Sequence, residues 1–188
     1  MIQKTEVMDK ASLNRSIKRI SHEILEKNKG TDNLVLVGIK RRGVPIANYI
    51  KANIKEIENV EIPVCTLDIT FYRDDLSKAN DEPKLKEFNL EYDVNGKTVV
   101  LVDDVIYTGR TARAAMDALL NNARPGYIQL AVIIDRGHRE LPIRPDYIGK
   151  NVPTSKDEHI NVCIKEIDDE EGVYLIKWYA TILCWNKT

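Results

Sequence analysis

The chain is poor in the residues that announce a metal centre or a disulfide scaffold. Cys65, Cys163 and Cys184 form an odd, scattered set with no Cys-x-x-Cys pair. That pattern excludes a disulfide framework and a thiolate zinc site, and it suits a reducing cytosol. His22, His138 and His159 stand too far apart to mark a metal site by spacing. The first residues lack an apolar signal core, and no uninterrupted apolar run approaches the length of a bilayer span. The expectation is therefore a soluble cytoplasmic protein with no membrane partner. An excess of charge of one sign is missing too: 28 Lys and Arg face 29 Asp and Glu, a net charge of −1. Any basic surface must then be local. There is no internal repeat and no low-complexity tract, and 188 residues are most simply one domain.

What is present is a succession of apolar runs ending in charged turns. Asp9 is a plausible N-cap and Gly30 a plausible stop for a first helix. Leu13, Ile17, Ile20 and Ile24 share one face of it, and Arg15, Lys18, Arg19 and His22 cluster on the other. Leu34–Val37 predicts a buried strand, followed by Gly38-Ile-Lys-Arg-Arg-Gly43 and a helix that Pro45 suits near its first turn. Val60–Thr70 alternates enough to predict a strand. Tyr72–Glu91 is too polar and too long for a simple connection and reads as a mobile loop or hairpin that can act as a lid. Val99–Val102 and Ile128–Ile134 are further buried strands, with a helix between them whose core stripe is Ala112, Ala115, Met116, Leu119 and Leu120. Three strand-then-helix units predict a doubly wound, mostly parallel α/β sheet.

The run Val99–Thr111 carries the chemistry. Asp103 and Asp104 stand where a buried strand ends, and Thr108-Gly109-Arg110-Thr111 opens the next helix. Ligands of open parallel sheets bind at such strand ends. The unpaired N–H groups of a helix start, with the dipole behind them, suit a phosphate. Gly109 permits close approach, and the Thr108 and Thr111 hydroxyls can add hydrogen bonds. The carboxylates must face something else, sugar hydroxyls or a metal. Gly38–Gly43, with Lys40 and Arg41, is a second candidate anion loop at a strand end.

The Val99–Thr111 run closely resembles the phosphoribosyl-pyrophosphate (PRPP) signature of type I phosphoribosyltransferases. Purine enzymes of that class commonly carry an aspartate where this chain has Tyr107, a departure that favours a pyrimidine. Segments 68–77, 102–111, 135–144 and 146–155 together resemble the PyrR family of pyrimidine-operon attenuation regulators, which are also uracil phosphoribosyltransferases. The resemblance covers roughly residues 1 to 175, and residues 1–177 are expected to form one phosphoribosyltransferase domain. Residues 178–188, with Trp178 and Trp185, are an unmatched C-terminal extension.

The resemblance implies a type I fold with a small hood and a flexible lid loop. It implies PRPP and uracil as substrates, with Mg²⁺ carried by PRPP near Asp103 and Asp104 rather than held by direct protein ligation. Thr108, Gly109, Arg110 and Thr111 would fix the 5′-phosphate, and Asp103 and Asp104 the ribose. Lys40 and Arg41 would hold pyrophosphate, with Arg73 joining on lid closure. Asp135, Arg136, Gly137 and Ile148 are the candidates for reading uracil. The implied partners are UMP or UTP and the mRNA leader of a pyrimidine operon. RNA contacts would come from Arg15, Lys18, Arg19 and His22, with His138, Arg139, Arg144 and Lys156 from a stretch that also holds Lys150. Charge alone leaves this open, because an outward helix face is normally charged. A homo-oligomer is expected. The competing readings are a regulator with vestigial catalysis and a phosphoribosyltransferase for another base with no RNA role.

Overall fold

The computed structural model describes residues 2–69 and 90–178. Its elements in chain order are β1 (Ile2–Met8), α1 (Lys10–Asn28), β2 (Leu34–Ile39), α2 (Gly43–Glu58), β3 (Val64–Leu67) and β4 (Thr98–Ile106). They continue with α3 (Arg110–Asn122), β5 (Tyr127–Asp135), β6 (Tyr147–Asn151), β7 (Glu158–Cys163) and β8 (Gly172–Trp178). Asp9 caps α1 as its position predicts: its carboxylate accepts from Ser12 N at 2.7 Å, satisfying an N–H that a helix start leaves without an internal partner.

Strands β3-β2-β4-β5-β6 form a five-stranded sheet in that order, every pairing parallel. Both its faces are covered, which is why β2 reads as an unbroken apolar run rather than an alternating one. Successive residues of β4 serve opposite layers. Val100 and Val102 pack with α1 and α2, while Val99 and Leu101 pack with Ala115 and Leu119 of α3. β1, β8 and β7 make a separate antiparallel sheet, the expected hood. Met8, Val162, Ile164 and Val173 bury its inner side in the α1–α2 layer.

Two expectations are adjusted. The strand predicted over Val60–Thr70 is only Val64–Leu67, because Pro63 has no N–H to give the ladder; its carbonyl still accepts from Leu36 N at 3.0 Å. Trp178, the start of the predicted extension, closes β8 opposite Ile2 and is 59% exposed. Arg73, Trp185 and the predicted lid, apart from Leu90 and Glu91, lie outside the described residues.

Candidate active site

β4 outruns its neighbour. Its pairing with β2 ends at Gly38↔Val102, while beside β5 it continues to Ile106↔Asp135. Past that end the acidic pair turns onto its own backbone. Asp103 accepts from Asp104 N at 2.9 Å, and Asp104 accepts from Val105 N at 2.8 Å. Both carboxylates are half-buried. Burial pushes the Asp104 carboxyl above the ordinary carboxylate range, against the pull of its bond with Asp103, the Val105 N–H and the nearby Arg42 guanidinium.

The turn that follows is shaped for an anion. Gly109 sits at φ 93°, a conformation a side chain rarely adopts, and it starts α3. Thr108 Oγ1 accepts from Arg110 N at 3.3 Å. Asp103, Tyr107, Thr108, Gly109, Arg110 and Thr111 help line a cavity of about 300 Å³. The structure thus joins Asp103 with the predicted phosphate residues Thr108–Thr111, whereas Asp104 is not among the residues lining this cavity and has Arg42 of the Gly38–Gly43 loop near it. The Arg110 guanidinium bonds Glu140 at 2.8 Å, so this residue's contribution to a phosphate would be its backbone N–H.

Gly38–Gly43 lies against the same strand end. A Cβ on Gly43 would stand 2.1 Å from the Val102 carbonyl oxygen and 3.4 Å from Asp103 Cα, so only glycine lets α2 begin this close to β4. The Lys40–Arg41 peptide is cis. Lys40 Nζ is 3.4 Å from Asp68, and Arg41 is exposed. Arg42, which the sequence reading passed over, donates to Asp168 from Nε at 3.2 Å and from an Nη at 2.9 Å. Asp168 is 126 residues further on, and no local pattern could have paired them.

The predicted base-reading residues have other engagements. Arg136 is 6% exposed. Its guanidinium donates to Thr154 Oγ1 at 3.0 Å and to the Ser155 and Glu158 carbonyls, and lies 4.2 Å from the Tyr107 ring centroid. Asp135 accepts from Gly137 N at 2.9 Å and from Arg139 at 2.5 Å. The Ile148 carbonyl accepts from Arg19 at 2.9 Å. The segment after β5 braces the phosphate turn. Arg139 donates to the Tyr107 carbonyl at 2.7 Å, and the N–H groups of Glu140 and Leu141 donate to that of Thr108 at 3.0 and 3.1 Å. Glu140 and Thr154 are site-supporting residues that no sequence signal singled out.

The α1 cations are exposed. Arg15 and Arg19 share a cleft of about 340 Å³ with Ser12, Ser16 and Lys150. Lys18 lies 3.6 Å from Glu56, and His22 is elsewhere on the helix. His138 contacts the Thr154 carbonyl at 2.5 Å and so stands beside the segment carrying Lys156. Arg139 is half-buried in its brace, and Arg144 and Lys156 are exposed. No contact joins this second group to the α1 cleft among the described residues.

Among the described residues, no three His, Cys, Asp or Glu side chains gather as a metal cage, and no helix is long and apolar enough to cross a membrane. The oxygen donors beside the phosphate turn are Asp103 and Asp104, hard ligands that fit Mg²⁺ when phosphates and water complete its shell.

A parallel sheet, a hood and an acidic strand end opening onto a helix N-terminus define a phosphoribosyltransferase. Residues 4–167 match the phosphoribosyl transferase domain family. Solved structures share the fold at low identity. A hypoxanthine-guanine phosphoribosyltransferase from Bacillus anthracis superposes with a TM-score of 0.68 at 16% identity, over 94% of this chain and 99% of that one. A hypoxanthine phosphoribosyltransferase from Staphylococcus aureus gives 0.67 at 16% identity, over 94% and 93%. Sequence relatives are far nearer. The "Bifunctional protein PyrR" of Clostridioides difficile (strain 630) is 59% identical over 92% of this chain and 98% of its own length. That of Pelotomaculum thermopropionicum is 57% identical over 93% and 97%. The chain belongs to the PyrR family of phosphoribosyltransferases.

Proposed function

We propose that the protein transfers the phosphoribosyl group of PRPP to uracil, giving UMP and pyrophosphate, and that it binds the leader of a pyrimidine-operon mRNA when a uridine nucleotide occupies the same site. The observation that carries the enzymatic reading is the junction of the Asp103–Asp104 strand end with the Thr108–Thr111 helix start, closed on its other side by Gly38–Gly43. Phosphate, ribose and pyrophosphate have adjacent seats there. Uracil N1 attacks ribose C1 as the C1–O bond to pyrophosphate breaks, the N1 proton passing to the departing pyrophosphate or to water, and the protein's contribution is positioning and charge. Thr108–Thr111 hold the 5′-phosphate, and Asp103 and Asp104 hold the ribose hydroxyls and favour the positive charge developing on the sugar. Arg41 and Lys40 hold pyrophosphate. Asp103 or Asp104 would be available as an oxygen ligand to the Mg²⁺ expected with PRPP, whose charge would neutralise the phosphates. Tyr107 in place of a carboxylate supports a pyrimidine. Asp135 and Gly137 remain the candidates for the base edge through their backbone, whereas the Ile148 carbonyl is taken by Arg19 and Ile148 sits in β6; Arg136 frames the pocket by holding Tyr107 and the residues around Thr154.

The α1 cleft with Arg15, Arg19 and Lys150 supports the RNA reading, since clustered cations neutralise phosphates and release counterions. A folded RNA with unpaired bases is the expected target. Incubation of the protein with PRPP, Mg²⁺ and uracil, hypoxanthine or orotate in parallel is expected to give product with uracil alone. Product from hypoxanthine or orotate instead would replace the pyrimidine-base reading. In filter binding, a leader transcript is expected to bind more tightly with UMP than without, and more weakly as salt rises. Binding indifferent to both would leave an enzyme without a regulatory role.

A further inference from the structure

The anion loop Gly38–Gly43 carries Lys40, Arg41 and Arg42, and the structure gives each a different situation. Lys40 faces Asp68 at 3.4 Å, and Arg41 is exposed with no hydrogen bond or ion pair among the described residues. Arg42 points the other way, into the hood. Its fork meets both oxygens of Asp168, at 3.2 and 2.9 Å, and is only 29% exposed. Asp168 is in turn fixed to the hood's own backbone: it accepts from Ile164 N at 3.0 Å, and its N–H donates to the Ile164 carbonyl at 2.7 Å. One residue after Arg42, Gly43 is pressed against the backbone of Val102 and Asp103. The exit of the loop is thus pinned on one side to the acidic strand end and on the other to the hood. Arg41, the residue before, makes no such two-bond contact, although its charge also acts on Asp168.

We infer that Arg42 is a positioning residue for pyrophosphate: clamped by Asp168, it fixes the loop so that Arg41 and the neighbouring N–H groups meet the leaving group, and it does so without touching substrate. A guanidinium suits this task because two parallel bonds set direction as well as distance, which a lysine ammonium cannot do. The clamp also ties the hood, a sheet built from remote parts of the chain, to the loop that receives the leaving group. This inference rests on the reading of Gly38–Gly43 as the pyrophosphate loop.

A second tie from α2 to the hood supplies the control. Tyr49 Oη donates to Glu166, 2.8 and 2.7 Å from its two oxygens, at a point on α2 away from the loop. The test uses the full chain with uracil, PRPP and Mg²⁺, and the variants Arg42→Lys, Asp168→Asn, Tyr49→Phe and Arg41→Gln. Measured for each are KM for PRPP, KM for uracil, kcat, product inhibition by pyrophosphate, and the thermal midpoint. Arg42→Lys and Asp168→Asn are each expected to raise the PRPP KM and the pyrophosphate inhibition constant about tenfold, with the uracil KM within about twofold. The double variant is expected to be no worse than either single, because both remove one interaction. Tyr49→Phe is expected to lower the thermal midpoint and leave the PRPP and pyrophosphate constants within about twofold. The inference is overturned if Arg41→Gln weakens pyrophosphate while Arg42→Lys and Asp168→Asn do not, or if Tyr49→Phe shifts the PRPP KM as much as they do. If Arg41→Gln itself leaves both constants unchanged, the loop does not serve pyrophosphate, and the underlying reading falls with it.

Discussion

Asp104 shows how a single buried carboxyl can be set against the fold. Burial raises its carboxyl above the ordinary range, and the cation that opposes this, Arg42, is committed to Asp168. A carboxyl whose folded value lies above its unfolded one lends stability below the unfolded value, and that stability is lost as pH rises through the folded value. At neutral pH the ionised group is therefore a burden. Asp104→Asn keeps the bond that Val105 N donates and removes the charge. Its kcat/KM is expected to fall by about 10²–10³-fold, the scale of a lost transition-state electrostatic contact. Its thermal midpoint at pH 7 is expected to rise. A fall in the midpoint with activity retained would remove Asp104 from the site. Asp168 carries the opposite sign. The Arg42 hydrogen bonds hold its carboxyl below the ordinary range, so its contribution is present above the unfolded value and lost as pH falls through the folded one. Melts across pH should show Asp168→Asn well below wild type at neutrality, the gap closing as pH drops below the ordinary aspartate value of about 3.9.

At the scale of elements, the arrangement turns on how closely α2 starts to β4. Gly43→Ala would drive a methyl group into the Val102 carbonyl oxygen, 2.1 Å away with no flexible side chain to yield. The expected destabilisation in urea titration is about 2–3 kcal/mol. A variant within about 0.5 kcal/mol of wild type would show that the helix start can retreat. That approach was not legible in the sequence, but the β4–Gly109–α3 junction was. A buried run, a change to polar residues and a glycine at the turn are local signals, and β4–Gly109–α3 follows them closely. So does α1, whose cap and apolar stripe are spelled within one segment. The clamps were not legible. Arg42 and Asp168 meet across 126 residues, and Arg136 reaches the carbonyls of Ser155 and Glu158 through a connection without regular structure. Arg136 and Arg139 looked like ligand contacts because a guanidinium in a polar turn has the same sequence appearance whether it holds a substrate or its own backbone. β3 starts later than its alternation suggested because Pro63 has no N–H to give the ladder.

For the molecule as a whole, the core sheet and the hood are built on different plans. β2 through β6 join neighbours that follow one another closely in sequence, with helices laid over both faces. The hood instead pairs β1 with β8, so Ile2 lies opposite Trp178, and β8 in turn carries β7. Asp168, which clamps Arg42 of the Gly38–Gly43 loop, lies in the turn between those last two strands.

That pairing sets an order of events during synthesis. A nascent chain that has emerged as far as β6 possesses every strand of the core sheet and the phosphate turn, but β1 has no partner until β8 clears the ribosome. Long-range pairings of this kind close last and expose an unpaired edge in the meantime. The chain thus completes the Asp103–Thr111 strand end and turn early, while the Arg42 clamp waits for the hood.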